Sequence, residues 1–83
     1  MSENEITLEE IIQYLKEASE HEKNEQFRKF VEGAIIILKH FEELNADLGL
    51  DLLIGILLDI TDDYLETKDK QILEEALHFL NLE

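Results

Sequence analysis

The fold is decided by residues 48–60, which read LGLDLLIGILLDI. Only Asp51 and Asp59 interrupt the apolar side chains, and the run is shorter than the roughly 20 residues that a membrane-spanning helix needs. A helix that is apolar on nearly all sides has to be covered by other helices. The stretch therefore predicts a helical bundle in which this helix is the most buried member, and no membrane span.

The sequence on either side carries start signals for further helices. Thr7 and Glu10 have the spacing of a capping box, and Asn24 and Asp69 are suitable N-caps. After each signal, apolar residues recur every three or four positions, and the 83 residues include no proline. We predict one all-α domain over residues 1–83, a small up-and-down four-helix bundle without a sheet. The expected helices cover residues 8–22, 25–48, 52–66 and 70–80, with residues 1–5 frayed.

The junction between the second and third helices has two interpretations. Gly49 could close the second helix in a left-handed conformation, with Asp51 capping the third. Alternatively the chain breaks at Asn45 and Asp47 provides the cap. We favour the first, because a closing glycine followed by an acidic cap is a consistent pair of signals.

The chain is strongly acidic, with 21 Asp and Glu against 7 Lys and Arg and a formal net charge of −14. This charge repels a phosphate backbone, which argues against direct nucleic-acid binding. The absence of cysteine excludes a disulfide scaffold and a cysteine-based zinc site. A signal peptide begins with basic residues, whereas residues 1–5 include no Lys or Arg. We therefore expect a cytoplasmic protein.

Residues 45–66 hold six acidic residues and no Lys, Arg or His. Four of them are spaced so that they share one side of the third helix: Asp59, Asp62, Asp63 and Glu66. We call these four residues the acidic row. They could simply be the solvated face of a buried helix, or they could dock on a basic protein such as a nuclease, a toxin or a nucleic-acid-binding protein. Carboxylates one helical turn apart lie about 6 Å from each other, so mimicry of DNA phosphates is geometrically feasible.

A second candidate surface lies on the second helix, where Ile36 and Ile37 interrupt the polar face. Two adjacent apolar residues opposite a complete core stripe favour an interface. The alternative function is therefore a structural homodimer or assembly protein, in which the apolar surplus of the second and third helices builds the subunit interface and the acidity confers only solubility. Ile36 and Ile37 are the residues expected to mediate this self-association.

The chain offers little for catalysis or metal binding. Glu75 and His78 have the spacing found in di-iron bundles, but both are expected to face solvent and no matching second motif exists. Ser19 and His21 are two positions apart on a helix and point to different sides. We expect no enzyme activity, no metal and no cofactor.

Two further expectations concern side chains and overall character. Tyr14 and Tyr64 fit the flanks of the bundle, with the ring buried and the hydroxyl in water. The size, acidity and helical content are similar to those of small immunity proteins that neutralise basic nucleases and of phage-encoded inhibitors that mimic nucleic acid. That similarity is compositional and implies an inhibitor-like binding protein.

Overall fold

The computed structural model describes residues 7–45 and 47–81, and over these residues it contains four α-helices and no strand. They are α1 (Leu8–Glu22), α2 (Glu25–Glu43), α3 (Asp47–Thr67) and α4 (Lys70–Phe79). The helices form a small up-and-down bundle, which confirms the predicted fold class. The predicted fraying of residues 1–5 concerns residues outside the described ranges.

Three helices begin at the predicted caps. The Thr7 hydroxyl accepts a hydrogen bond from the Glu10 N–H at 3.2 Å, and the Glu10 carboxylate accepts one from the Thr7 N–H at 3.1 Å. The side chains of Asn24 and Asp69 each accept a hydrogen bond from a backbone N–H at the start of α2 and α4, at 3.0 and 2.9 Å. Each cap satisfies a donor that has no partner within the helix, which fixes where the helix starts.

The favoured junction between the second and third helices is wrong. α2 ends at Glu43 and α3 begins at Asp47, whereas the prediction extended the second helix to residue 48 and started the third at 52. The break falls at Asn45, which has a φ of 55°, a left-handed conformation that asparagine tolerates better than most residues. Gly49 instead lies inside α3, and no described glycine has a positive φ.

Residues other than glycine close every helix. Each helix is followed within two residues by a left-handed residue, and the four are Lys23, Asn45, Lys68 and Asn81, with φ between 54° and 61°. Lysine pays a steric cost in this conformation because its Cβ approaches the following carbonyl oxygen. The C-terminus of α1, at Lys23, is therefore a place where the fold carries local strain.

We expect Lys23→Gly to raise the free energy of unfolding by roughly 0.5–1 kcal/mol, because glycine adopts the left-handed conformation without this cost. The control is Lys29→Gly in the second turn of α2, which removes the same side chain and should lower stability by about 1 kcal/mol. Urea unfolding followed by circular dichroism measures both. A loss of stability in the Lys23 variant would contradict the explanation.

The core is organised around α2 and not around α3 as predicted. α2 packs against each of the other three helices, and most of its apolar stripe is buried. α3 contributes four buried residues along one side only: Leu53, Leu57, Thr61 and Tyr64. The Thr61 hydroxyl is satisfied within α3, where it donates to the Leu57 carbonyl at 2.8 Å. α3 thus takes an outer position in the bundle and leaves an apolar face uncovered.

Candidate functional site

The acidic row lies exposed along the C-terminal half of α3. Asp59, Asp62, Asp63 and Glu66 are all exposed, on the side of the helix opposite its buried residues. The structure therefore brings together the four carboxylates that the sequence placed on one side of the helix. The row adjoins α1 at Asp62 and α4 at Asp63, because these two residues border the clefts to those helices.

Asp62 differs from the other three members of the row because it is held by α1. Its carboxylate accepts a hydrogen bond from the Tyr14 hydroxyl at 2.8 Å. This hydrogen bond, together with partial burial and the negative charge of Asp62, raises the pKa of Tyr14. Asp62 is thus oriented by a neighbour, whereas no hydrogen bond involves the carboxylates of Asp59, Asp63 and Glu66 among the contacts that the structure describes.

The N-terminal half of the same α3 surface is largely apolar, with Asp51 as its exposed acidic residue. Leu48, Leu52 and Ile56 follow one another at intervals of four residues, and 83%, 70% and 42% of their surface is exposed. Phe79, at the end of α4, is 56% exposed and lines the same groove as Ile56. We call these four residues the apolar patch. Only the fourfold spacing of the three α3 residues could have indicated it from the sequence.

A groove between α3 and α4 connects the apolar patch with the acidic row. Its volume is about 320 Å³. Apolar side chains and two carboxylates line it: Ile56, Ile60, Ile72, Ala76 and Phe79, with Asp63 and Glu75. The outward surface of α3 is therefore largely apolar at one end, with Asp51 as its exposed acidic residue, and acidic at the other, over a single helix of 21 residues.

The two residues predicted to mediate self-association are not exposed together. Ile36 is 68% exposed on the outer side of α2, but Ile37 is half-buried and packs against the core. The polar face of α2 therefore offers one exposed apolar side chain where the prediction assumed two. Self-association through Ile36 and Ile37 stays a prediction, with a smaller surface to support it.

A second polar cluster joins the C-terminal ends of α1 and α3. The Tyr64 hydroxyl donates to the Glu22 carboxylate at 2.7 Å, and the Lys68 ammonium group pairs with the same carboxylate. Both contacts lower the pKa of Glu22, with Lys68 contributing most. Burial, followed by the hydrogen bond to Glu22, raises the pKa of Tyr64 to about 12. This cluster connects two helices and has the character of a structural clamp.

The two pairs of residues considered for metal binding and catalysis lie on different helices, α4 and α1. Glu75 and His78 are exposed on α4, and Ser19 and His21 line different clefts of the bundle. Within residues 7–45 and 47–81 there is no group of three or more His, Cys, Asp or Glu side chains placed to hold a metal ion. None of the helices in this part of the chain is long and apolar enough to cross a bilayer.

Comparisons with protein-family models, with curated proteins and with solved structures find no match to this chain. The geometry of α3 is therefore the basis for the function proposed below.

Proposed function

We propose that this chain is a small non-enzymatic binding protein that docks on a basic macromolecule through the acidic row of α3. The observation that carries the proposal is a continuous exposed row of four carboxylates in a segment of 22 residues without a Lys, Arg or His. A structural surface helix usually intersperses lysine among its acidic residues, since like charges one turn apart destabilise it by a few tenths of a kcal/mol per pair.

The proposed partner is a protein with a cationic surface, such as a nuclease, a toxin or a nucleic-acid-binding protein. The negative field of the four carboxylates accelerates the encounter with such a surface and repels nucleic acid itself. Because exposed charges are screened over about 10 Å at 0.1 M salt, the association should weaken as salt is added. Occupation of the partner's nucleic-acid groove would make the chain an inhibitor.

We expect replacement of the acidic row by Asp59→Asn, Asp62→Asn, Asp63→Asn and Glu66→Gln to reduce capture of basic proteins at least about tenfold, since it removes the local field. The tagged protein is incubated with native extract at about 0.05 M and about 0.5 M salt, and the retained proteins are quantified by mass spectrometry. The wild type should retain basic proteins only at the lower salt concentration.

The matched control removes four exposed carboxylates elsewhere, through Glu32→Gln, Glu42→Gln, Glu43→Gln and Glu74→Gln. Both variants lose four negative charges, so their net charges are equal and the charge is removed at different places. We expect the control to stay within about twofold of the wild type. An equal loss in both variants would show that total charge attracts the partners, and the acidic row would then serve solubility alone.

A further inference from the structure

The apolar patch on α3 and α4 calls for a separate explanation. Exposed apolar side chains do not contribute to solubility, and the acidic row does not need them to attract a basic partner. From the exposed fractions of its four side chains, the patch covers on the order of 500 Å². The largest apolar patch on a typical monomeric protein covers about 300–600 Å² and is often functional, so this patch is a candidate binding surface. The acidic row does not extend over it, so a second contact is available on the same helix.

We infer that the apolar patch is the interface of a homodimer in which two copies of α3 cross in an antiparallel arrangement about a two-fold axis near Leu52. Such an axis places Leu48 of one copy against Ile56 of the other and brings Phe79 to the rim on both sides. The interface is thus formed by residues that differ from the predicted pair, Ile36 and Ile37. This inference does not depend on the proposed binding of a basic macromolecule.

The position of the acidic row along α3 favours this antiparallel arrangement over a parallel one. Asp59 lies seven residues beyond Leu52, so the two copies of Asp59 are about 21 Å apart along the helix axes in an antiparallel pair. That separation is more than twice the screening length at physiological salt, and repulsion between the acidic rows is weak. A parallel pair would place the two rows side by side. Antiparallel packing therefore keeps the two acidic rows apart and accessible in a chain of charge −14. The exposed Asp51 is the exception, because its two copies lie about 3 Å apart along the helix axes, and their repulsion is screened only by salt.

Gly55 gives an independent indication of close helix packing at this place. It is an exposed residue in the middle of α3, where glycine weakens a helix relative to alanine. A Cβ atom at Gly55 would meet nothing within 4 Å, so the monomer has no steric need for glycine there. A second helix that crosses the same face would pack more closely at Gly55, because no side chain there keeps its backbone away.

The area predicts a dimer of modest affinity. Two patches bury on the order of 1,000 Å², near the lower limit for a specific interface. The net charge of both copies opposes association, and salt screens that repulsion. Added salt should therefore strengthen the dimer, which is the opposite of its expected effect on binding to a basic protein. The two proposals can fail independently, because their salt responses have opposite signs.

The test is sedimentation equilibrium of the wild type, of Leu52→Glu and of Ile36→Glu, from about 10 μM to about 1 mM and at two salt concentrations. Leu52 and Ile36 are a matched pair, since 70% and 68% of their surface is exposed and both changes add one negative charge to a helix. We expect the wild-type mass to rise from 9.7 kDa towards twice that value, and more so at high salt. Leu52→Glu should weaken the dimer at least about tenfold and Ile36→Glu less than about twofold.

The absence of cysteine allows the orientation to be tested by cross-linking. Under mild oxidation, a mixture of Leu48→Cys and Ile56→Cys chains should form more mixed disulfide dimers than either variant forms with itself, since disulfides need Cα atoms about 4.4–6.8 Å apart. A monomer at about 1 mM in high salt overturns the inference. So does a dimer that Ile36→Glu dissociates while Leu52→Glu leaves it intact, or preferential pairing of Leu48→Cys with itself.

Discussion

Replacing Phe27 with alanine is expected to lower the free energy of unfolding by about 3–5 kcal/mol. The ring is completely buried in the first turn of α2 and stacks on Tyr64 at a centroid distance of 5.2 Å. It also contacts Phe30, at 6.2 Å. Truncation removes the transfer free energy of the ring and leaves a cavity where α2 meets α3. The loss is large relative to the roughly 4–12 kcal/mol that a domain of this length has in total.

Urea unfolding followed by circular dichroism measures this effect, at a protein concentration below about 10 μM so that any self-association is negligible. Phe79→Ala is the matched control, because it makes the same change at a ring that is 56% exposed. We expect the control to change stability by less than about 1 kcal/mol. Equal effects at both positions would mean that Phe27 does not occupy the centre of the core.

The sequence predicts the helices well where a side chain satisfies the backbone locally. The capping box at Thr7 and the caps at Asn24 and Asp69 depend on residues two or three positions away, so the local pattern contains all the information. The junction at Asn45 was harder to predict, because both asparagine and glycine adopt the left-handed conformation that ends a helix. Packing decides which of the two residues does so. Gly49 therefore lies inside α3, although its sequence context is also typical of a helix C-terminus.

The candidate surface could be predicted only in part. Helical periodicity was sufficient to place the four carboxylates of the acidic row on one side of α3. The same periodicity could not show which apolar residues of α3 are covered, because residues 52–58 are apolar on nearly every side. Coverage is decided by the neighbours, and the central position of α2 leaves the apolar patch outside. This is a tertiary property that no local pattern encodes.

Tyr64 illustrates the same limit for a single side chain. Its hydroxyl was expected in water, but the residue is only 2% exposed and donates to Glu22, 42 positions earlier in the chain. The partner lies on another helix, and no spacing rule connects the two residues. Tyr14 fits its expectation better, with 41% of its surface exposed, although its hydroxyl is bonded to Asp62.

The buried position of Tyr64 makes stability depend on pH in the alkaline range. The pKa of this phenol is about 12 in the folded protein, against about 10 in an unfolded chain. The unfolded chain therefore releases the proton first, and the folded state loses stability as the pH rises from about 10 towards 12. Between pH 9 and pH 11 this residue alone should lower the free energy of unfolding by about 1.3 kcal/mol, at 1.36 kcal/mol per pKa unit.

Urea unfolding of the wild type and of Tyr64→Phe at several pH values between about 8 and 11 isolates this contribution. All other ionisable groups are common to both proteins, so the difference between the two pH dependences belongs to Tyr64. We expect Tyr64→Phe to lose less stability than the wild type over this interval, whatever its stability at pH 8. Parallel curves would mean that the Tyr64 phenol releases its proton as readily in the folded protein as in the unfolded chain. Its hydrogen bond to Glu22 would then not act as a clamp between α1 and α3.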